Sequence, residues 1–345
     1  MTVIDQVARY AEEVLRPAAL DVDRGAVPAS TIDDLRTLGA LNHLAPVTCG
    51  GAGLGRDDDR RLHEILAGAC FTTWLVWAQH ASQFPLAVAA PAPGPAVGRL
   101  LRGELLAGAA TSDVRRYPDR YVAATRTRAD WTFDGTLTWV SGWGLIDAIT
   151  VAAVDPETAT VVTALIPVGD HMRATPLTLS VVPGSRTFRV RLTAAPVPAE
   201  NVLLVQTFAE WRAADVATTC DARPYYFGLA TTVLRELAAD PSPPARHVAT
   251  VWEPRIAQLR ADAYGLADEA TATGDGTHRA ADRLAVKVAG GEALGTLTRA
   301  LVVAHSGRAV SADDTAQLHA RSAMFTLIQA QSATVREAQL STLAR

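Results

Sequence analysis

Hydrophobic periodicity changes twice along this chain, and the two changes fix the layers into which it can fold. From Val3 to about Leu105 apolar residues recur three and four positions apart. Val7, Ala11, Val14 and Leu15 make one stripe, Ile32, Leu35, Leu38 and Leu41 a second, and Leu62, Ile65, Leu66 and Ala69 a third. That spacing belongs to helices. Breakers fall between the stripes: residues 25–28 ahead of a Ser30-Thr31 cap, the Gly50-Gly51-Ala52-Gly53 turn, and the proline cluster at 91–95. Near Leu106 the pattern switches to short β-branched runs at 121–127, 131–133, 136–140, 148–152, 160–166 and 187–192, with a turn expected at Phe133-Asp134-Gly135. Helical spacing returns after about Phe208, with breaks expected around 240–244, 274–276 and 306–314, which leaves room for three or four long helices. Three blocks in this order describe an α+β fold with segregated layers: an N-terminal helical domain (1–105), a middle antiparallel β domain (106–204) and a C-terminal helical bundle (205–345).

Composition narrows the function classes. A chain of 345 residues, 49% hydrophobic and 20% charged, has enough apolar surface for a large core. Its formal net charge of −4 gives no global attraction to nucleic acid or to an anionic membrane. Cys49, Cys70 and Cys220 are odd in number, far apart and without metal-ligand spacing, so they read as reduced thiols in a cytoplasmic protein with no zinc site. The first nine residues meet Asp5 and Arg9 before any apolar run develops, which argues against a signal peptide. The most hydrophobic stretch, 71–91, is interrupted by Gln79, His80, Ser82, Gln83 and Pro85 and reads as a buried helix, not a membrane span.

Four local motifs carry a resemblance. Leu38-Gly39-Ala40 is followed by Ala45-Pro46 and a glycine-rich turn through Gly55. Thr136-Leu137-Thr138-Trp139-Val140-Ser141-Gly142 precedes a run from Asp147 to Ala153. Val197-Pro198-Ala199-Glu200-Asn201-Val202-Leu203 closes the strand block. Ala285, Lys287, Ala289 and Ala293 lead to the His305-Ser306-Gly307-Arg308-Ala309 turn, from which fixed spacing runs through Arg321 to Gln329-Ala330-Gln331. In this order the motifs resemble the acyl-CoA dehydrogenase superfamily over nearly the whole chain. The resemblance implies a helical domain, a middle β domain and a four-helix bundle, with a flavin between the last two: FAD, with FMN as the alternative. It further implies that Thr111, Trp139 and Ser141 border the flavin ring, that Arg223 supports the active site, that Gly307 belongs to the phosphate-binding turn, and that the bundle builds a homodimer or homotetramer. A Trp face and a Ser hydroxyl are groups that the edge of such a ring can use.

The chain departs from the family where the chemistry is done. The family's carboxylate base falls on Ala330, and its alternative position falls on Ala222; neither side chain accepts a proton. Asp221 and Glu337 are the nearby carboxylates, one aimed away from the site and the other on an exposed helix surface. Arg223 has a second reading as the surface partner of Asp221 or Glu210. At the flavin's adenine end Arg246-His247 lacks the Phe-Gly that should follow, Val303 replaces a Gln, and Ser306-Gly307 replaces paired glycines. The segment over Thr111-Ser112-Asp113 is shortened. Trp74, Trp77 and His80 read as core and pocket wall, with His80 a candidate proton donor to an oxygenated flavin.

Three functions are compatible with this pattern. One is a flavin-dependent oxidoreductase of acyl-CoA dehydrogenase type, acting on an acyl-CoA, another acyl thioester or a related small molecule. The second is a two-component flavin monooxygenase on the same fold, which needs no base for an α-proton. The third is a non-catalytic subunit that pairs with a homologue in a heteromeric dehydrogenase.

Overall fold

The helical stripes of the first third pack into seven helices. Helix α1 (Val3–Tyr10), opened by a Thr2/Asp5 capping box, runs through a π-helical stretch (Ala11–Leu15) into α2 (Arg16–Arg24). Then come α3 (Ala29–Thr37), α4 (Arg56–Ala69), α5 (Phe71–Ala81), α6 (Phe84–Ala89) and α7 (Pro95–Leu101). Pro28 stands at the start of α3 and no side chain caps it, so Ser30 and Thr31 lie within the first turn and are not its cap. The hydrophobic stretch from Phe71 divides into α5 and α6 at Ser82-Gln83, because Pro85 suits only the first turn of a new helix. These are features of a computed structural model that describes residues 1–90 and 93–344; Pro91, the first residue of the proline cluster, lies outside them. No helix among the described residues is long and apolar enough to cross a membrane.

Eight strands follow: β1 (Ala107–Ala110), β2 (Ala123–Thr127), β3 (Asp130–Val140), β4 (Ala148–Asp155), β5 (Thr160–Pro167), β6 (Met172–Pro176), β7 (Phe188–Val197) and β8 (Val202–Thr207). They form one sheet in the order β6-β7-β3-β2-β4-β5-β8, with β1 also on β4. The expected antiparallel β domain holds for the β2–β3, β3–β7, β4–β5, β5–β8 and β6–β7 pairings. Strand β1 and the single bridge from β2 at Ala123 run parallel to β4, so the sheet is mixed. Strand β4 is buried at every position, as a strand covered on both faces must be. The residues expected to turn at Phe133-Asp134-Gly135 instead run on through one long strand, where the single Asp134 opposes Thr193 and Ala194, a bulge in the facing strand β7. Gly135 lets the chain before β2 approach closely: a Cβ there would stand 2.8 Å from Val122 Cα.

The last third supplies α8 (Phe208–Thr219), α9 (Pro224–Ala239), α10 (Pro243–Thr273), α11 (Ala280–His305), α12 (Thr315–Ile328) and α13 (Ala333–Leu343). The four long helices α9 to α12 make the bundle, and Gly274 ends α10 in the left-handed conformation that a C-terminal glycine supplies. Several contacts fasten the bundle to the first third, two of them deep in the core. A Cβ on Gly228 would fall 2.2 Å from Glu64 O, and one on Gly68 would fall 2.7 Å from Gly228 O, so α4 and α9 cross backbone to backbone. Arg321 of α12 pairs with the buried Asp23 of α2 at 2.7 Å, and Thr72 donates to the same carboxylate.

Candidate functional site

Strand β3 carries a bulge of its own, and it shapes the site. Leu137 pairs with Val190 and Val140 with Phe188, so Thr138 and Trp139 together oppose the single residue Arg189. A bulge re-aims the side chains it carries. Trp139 is sent outward and is 45% exposed, while Leu137, Thr138 and Val140 are buried. The Thr138 N–H is taken by the buried Asp113, which accepts it at 2.9 Å and the Thr138 hydroxyl at 2.6 Å. Asp113 therefore fastens the segment holding Thr111, at the end of β1, beside the strand residues that flank Trp139. Sequence reasoning passed over Asp113, because its partner is 25 positions away.

Two residues beyond Trp139, the Ser141 hydroxyl lies 2.8 Å from Thr187 Oγ1, which lies 2.8 Å from Ser185 Oγ. Three hydroxyls share two hydrogen bonds, so one proton is left over. Ser141 is the least buried of the three, at 8% against 4% and 0%.

A second cluster forms where α9 meets the helices of the first third. Arg223 precedes α9 and donates to Thr218 O at 2.7 Å. Neither surface carboxylate considered for it holds it: Asp221 pairs with Arg283 at 2.7 Å, and Glu210 closes the capping box of α8 with Thr207. The Arg223 charge acts instead on Asp59 and His63. Burial raises the Asp59 carboxyl, but the His43 hydrogen bond and the charges of His63, His43 and Arg223 outweigh it and hold its pKa below the usual value. Burial brings the His63 imidazole down to about 4 against the pull of Asp59. Trp74 donates its indole N–H to His63 Nδ1 at 2.9 Å, which places the proton of the neutral ring on Nε2, 3.8 Å from Asp59. Neutral His63 therefore has no lone pair to spare. Trp74 also packs on Tyr225, with ring centroids 4.5 Å apart, and Phe71 and Phe325 complete this aromatic wall. The Tyr225 hydroxyl is buried and has no hydrogen-bond partner among the described residues.

His80 is not available as a proton donor to a ligand. It is fully buried, its Nδ1 accepts the Ala107 N–H at 3.1 Å, and its Nε2 lies 2.5 Å from Leu41 O. Burial brings its pKa down to about 4. Both ring nitrogens are used to tie α5 to β1 and to the loop after α3.

The two positions where a base is missing lie in one knot. Lys287 of α11 donates to Thr219 O at 2.6 Å and to Ala330 O at 3.2 Å, and Thr219 reaches the Ser332 hydroxyl at 3.2 Å. The turn bearing Ala222 is thereby held against the turn bearing Ala330, whose φ of 51° is left-handed. Asp221 in this knot is occupied by Arg283, and Glu337 is exposed on α13.

Gly307 sits apart, on an exposed turn (Ser306–Val310) packed against α11 and α12. Arg246 donates from Nη1 to Asp240 O and Pro241 O, and Val303 is 78% exposed. Of the candidate residues, Trp139 lies near the end of β3 with Ser141 just beyond it, Thr111 follows β1 in the segment that Asp113 ties to Thr138, Arg223 stands ahead of α9, and Gly307 is apart from all of these. No metal-ligating cluster forms among the described residues.

Comparison with known proteins agrees with this architecture. A model of the acyl-CoA dehydrogenase N-terminal domain matches residues 2–90. The mitochondrial very long-chain specific acyl-CoA dehydrogenase of Macaca fascicularis is 28% identical over 222 residues, a match covering 58% of this chain and 33% of that protein, about a third of its length. Among solved structures, butyryl-CoA dehydrogenase from Megasphaera elsdenii superposes with a TM-score of 0.81 at 16% identity, over 99% of this chain and 97% of that one. FMN-bound TdsC from Paenibacillus sp. A11-2, a dibenzothiophene monooxygenase, gives 0.81 at 18% identity, over 97% and 95%. At these identities the structural likeness is one of fold.

Proposed function

The chain belongs to the acyl-CoA dehydrogenase superfamily, and we propose that it acts as a flavin-dependent oxidoreductase on a small molecule, without the carboxylate base of the family's dehydrogenases. The observation that carries this reading is the bulge that turns the Trp139 ring outward beside Ser141, at the end of a hydroxyl chain with a spare proton. These residues fit a flavin, which needs a flat apolar face and a hydrogen-bonding group at the ring edge. On the substrate side the unpartnered Tyr225 hydroxyl suits a ligand oxygen, since a buried hydroxyl without a partner is costly until something pairs with it. When bound, the flavin supplies two-electron redox chemistry. The chain's own residues position the ring, exclude water behind Phe71, Trp74 and Phe325, and offer hydroxyl donors.

Removal of an α-proton requires a base, and here the candidate groups are engaged or absent. Ala222 and Ala330 have none to offer, and His63 and His80 both have Nδ1 occupied. This favours the monooxygenase reading, in which reduced flavin arrives from a separate reductase, over dehydrogenation of an acyl-CoA. The exposed Val303, Met324, Ile328, Leu340 and Leu343 on α11 to α13 support a homodimer or homotetramer assembled through the bundle, with a homologous subunit as the other candidate partner.

The test is the visible spectrum of the purified protein before and after incubation with FAD or FMN and desalting. Retained flavin that is lost in Trp139→Ala, with the melting temperature unchanged, supports the reading. A colourless protein that captures neither flavin overturns it and directs attention to the partner-dependent subunit. Bleaching by an acyl-CoA without a reductase sinks the monooxygenase form.

A further inference from the structure

Beside Trp139 lies a cavity of about 280 Å³ walled by Arg116, Arg120, Arg189, Thr138 and the loop 177–179. Its three arginines come from separate places: the end of the short helix after Thr111, the turn that follows it, and strand β7, where Arg189 faces the bulge. None of the three pairs with a carboxylate among the described residues. Their chain neighbours behave otherwise, since Arg115 holds Asp215 at 2.7 Å and Arg191 holds Asp134 at 2.6 Å. Three like charges converging on one concavity repel one another unless an anion sits among them. A guanidinium fork matches the geometry of phosphate oxygens, and the Trp139 ring forms one wall of the same cavity.

We infer that this cavity is a phosphate subsite for a ligand that lays an aromatic ring on Trp139. The resemblance places the flavin's phosphate groups elsewhere, at the Arg246 and Gly307 region, where Arg246 gives one terminal nitrogen, Nη1, to backbone carbonyls. The β domain supplies its cationic donors from within one chain. Two ligands share the required chemistry: a flavin nucleotide, an arm that rests on the flavin reading above, and a coenzyme thioester, whose adenine nucleotide also joins a ring to phosphates.

Calorimetric titrations with FMN, riboflavin and coenzyme A separate the two, run on wild type and on the double variant Arg120→Gln/Arg189→Gln. All three arginines are exposed, so the variant keeps the fold, which circular dichroism checks. For a flavin subsite, wild type binds FMN at least tenfold more tightly than riboflavin, added salt erodes the difference, and the variant loses it while riboflavin affinity stays the same. If coenzyme A affinity falls at least tenfold in the variant and FMN affinity does not, the subsite belongs to the substrate. Equal affinities in wild type and variant for both phosphorylated ligands overturn the inference, as does wild-type protein that binds neither. Riboflavin binding in those cases leaves the flavin reading standing; failure of all flavins to bind, with coenzyme A dependent on the arginines, removes that reading and keeps the subsite.

Discussion

Lys287 grips the backbone of Ala330, not its side chain, with the ammonium group 3.2 Å from the carbonyl oxygen and 2.6 Å from Thr219 O. The turn where the family's base would stand is thus held by a contact that does not depend on which side chain occupies position 330.

That grip has a pH signature. Burial holds Lys287 down to about 7, from an ordinary value of 10.5. Below about 7 both the folded and the unfolded chain carry the proton, and the cost of burying the charge is present in full. Between about 7 and 10.5 the unfolded chain holds a proton that the folded one has released, so this group's contribution to stability rises with pH. Melting curves of wild type and Lys287→Met from pH 6.5 to 10 check it: the difference shifts in favour of wild type as pH rises. A constant difference refutes the assignment.

His80 should prove structural. Replacing it with Leu strands the Ala107 N–H and the Leu41 carbonyl in the core, at about 1–3 kcal/mol each. Flavin affinity of the protein that remains folded should not change. Its folded pKa of about 4 lies below the ordinary 6.5, so its contribution declines as pH falls from about 6.5 towards 4, where the unfolded chain takes up the proton first. Urea denaturation at pH 7 and 5 measures this, and the variant should show a weaker loss on acidification.

Arg321→Met leaves Asp23, only 2% exposed, with Thr72 as its remaining side-chain partner. Removing one member of a wholly buried pair costs about 3–5 kcal/mol. Arg321 keeps 27% of its side chain exposed, so a loss of about 2–3 kcal/mol is expected. Asp23→Asn should cost less, because no charge is left without a partner. Equal losses for both variants would contradict this account.

Gly228→Ala drives a methyl group to 2.2 Å from a backbone oxygen of α4, an atom that cannot rotate away. Overpacking of this kind costs about 1–3 kcal/mol. A shift of the urea midpoint with an unchanged slope is the expected result, and a neutral substitution would mean that α4 and α9 do not cross so closely.

The order of layers was legible because it rests on local periodicity, and a short motif brought Trp139 and Ser141 forward together as candidates. What escaped was whatever depends on a distant partner or on the absence of a side chain. Strand β1 is Ala107-Gly108-Ala109-Ala110, without the β-branched signal, and it is held by pairing to β4. Gly135 looked like a turn because Asp-Gly usually is one; it lies inside a strand, where the close approach of Val122 excludes a side chain. His80, read as core and pocket wall, kept a second reading as a proton donor until its two backbone partners, 39 and 27 positions away, were in view. The arginines of the cavity lie 73 positions apart from Arg116 to Arg189, so no window of sequence contains them together.

The chain of hydroxyls from Ser185 through Thr187 to Ser141 can run in either sense. With Ser185 as first donor, the Ser141 proton is free to be given outward; with every hydroxyl rotated the other way, Ser141 presents a lone pair instead. The reversal moves no heavy atom. Ser141 is thereby amphoteric, and in the second sense the spare proton is carried by the buried Ser185.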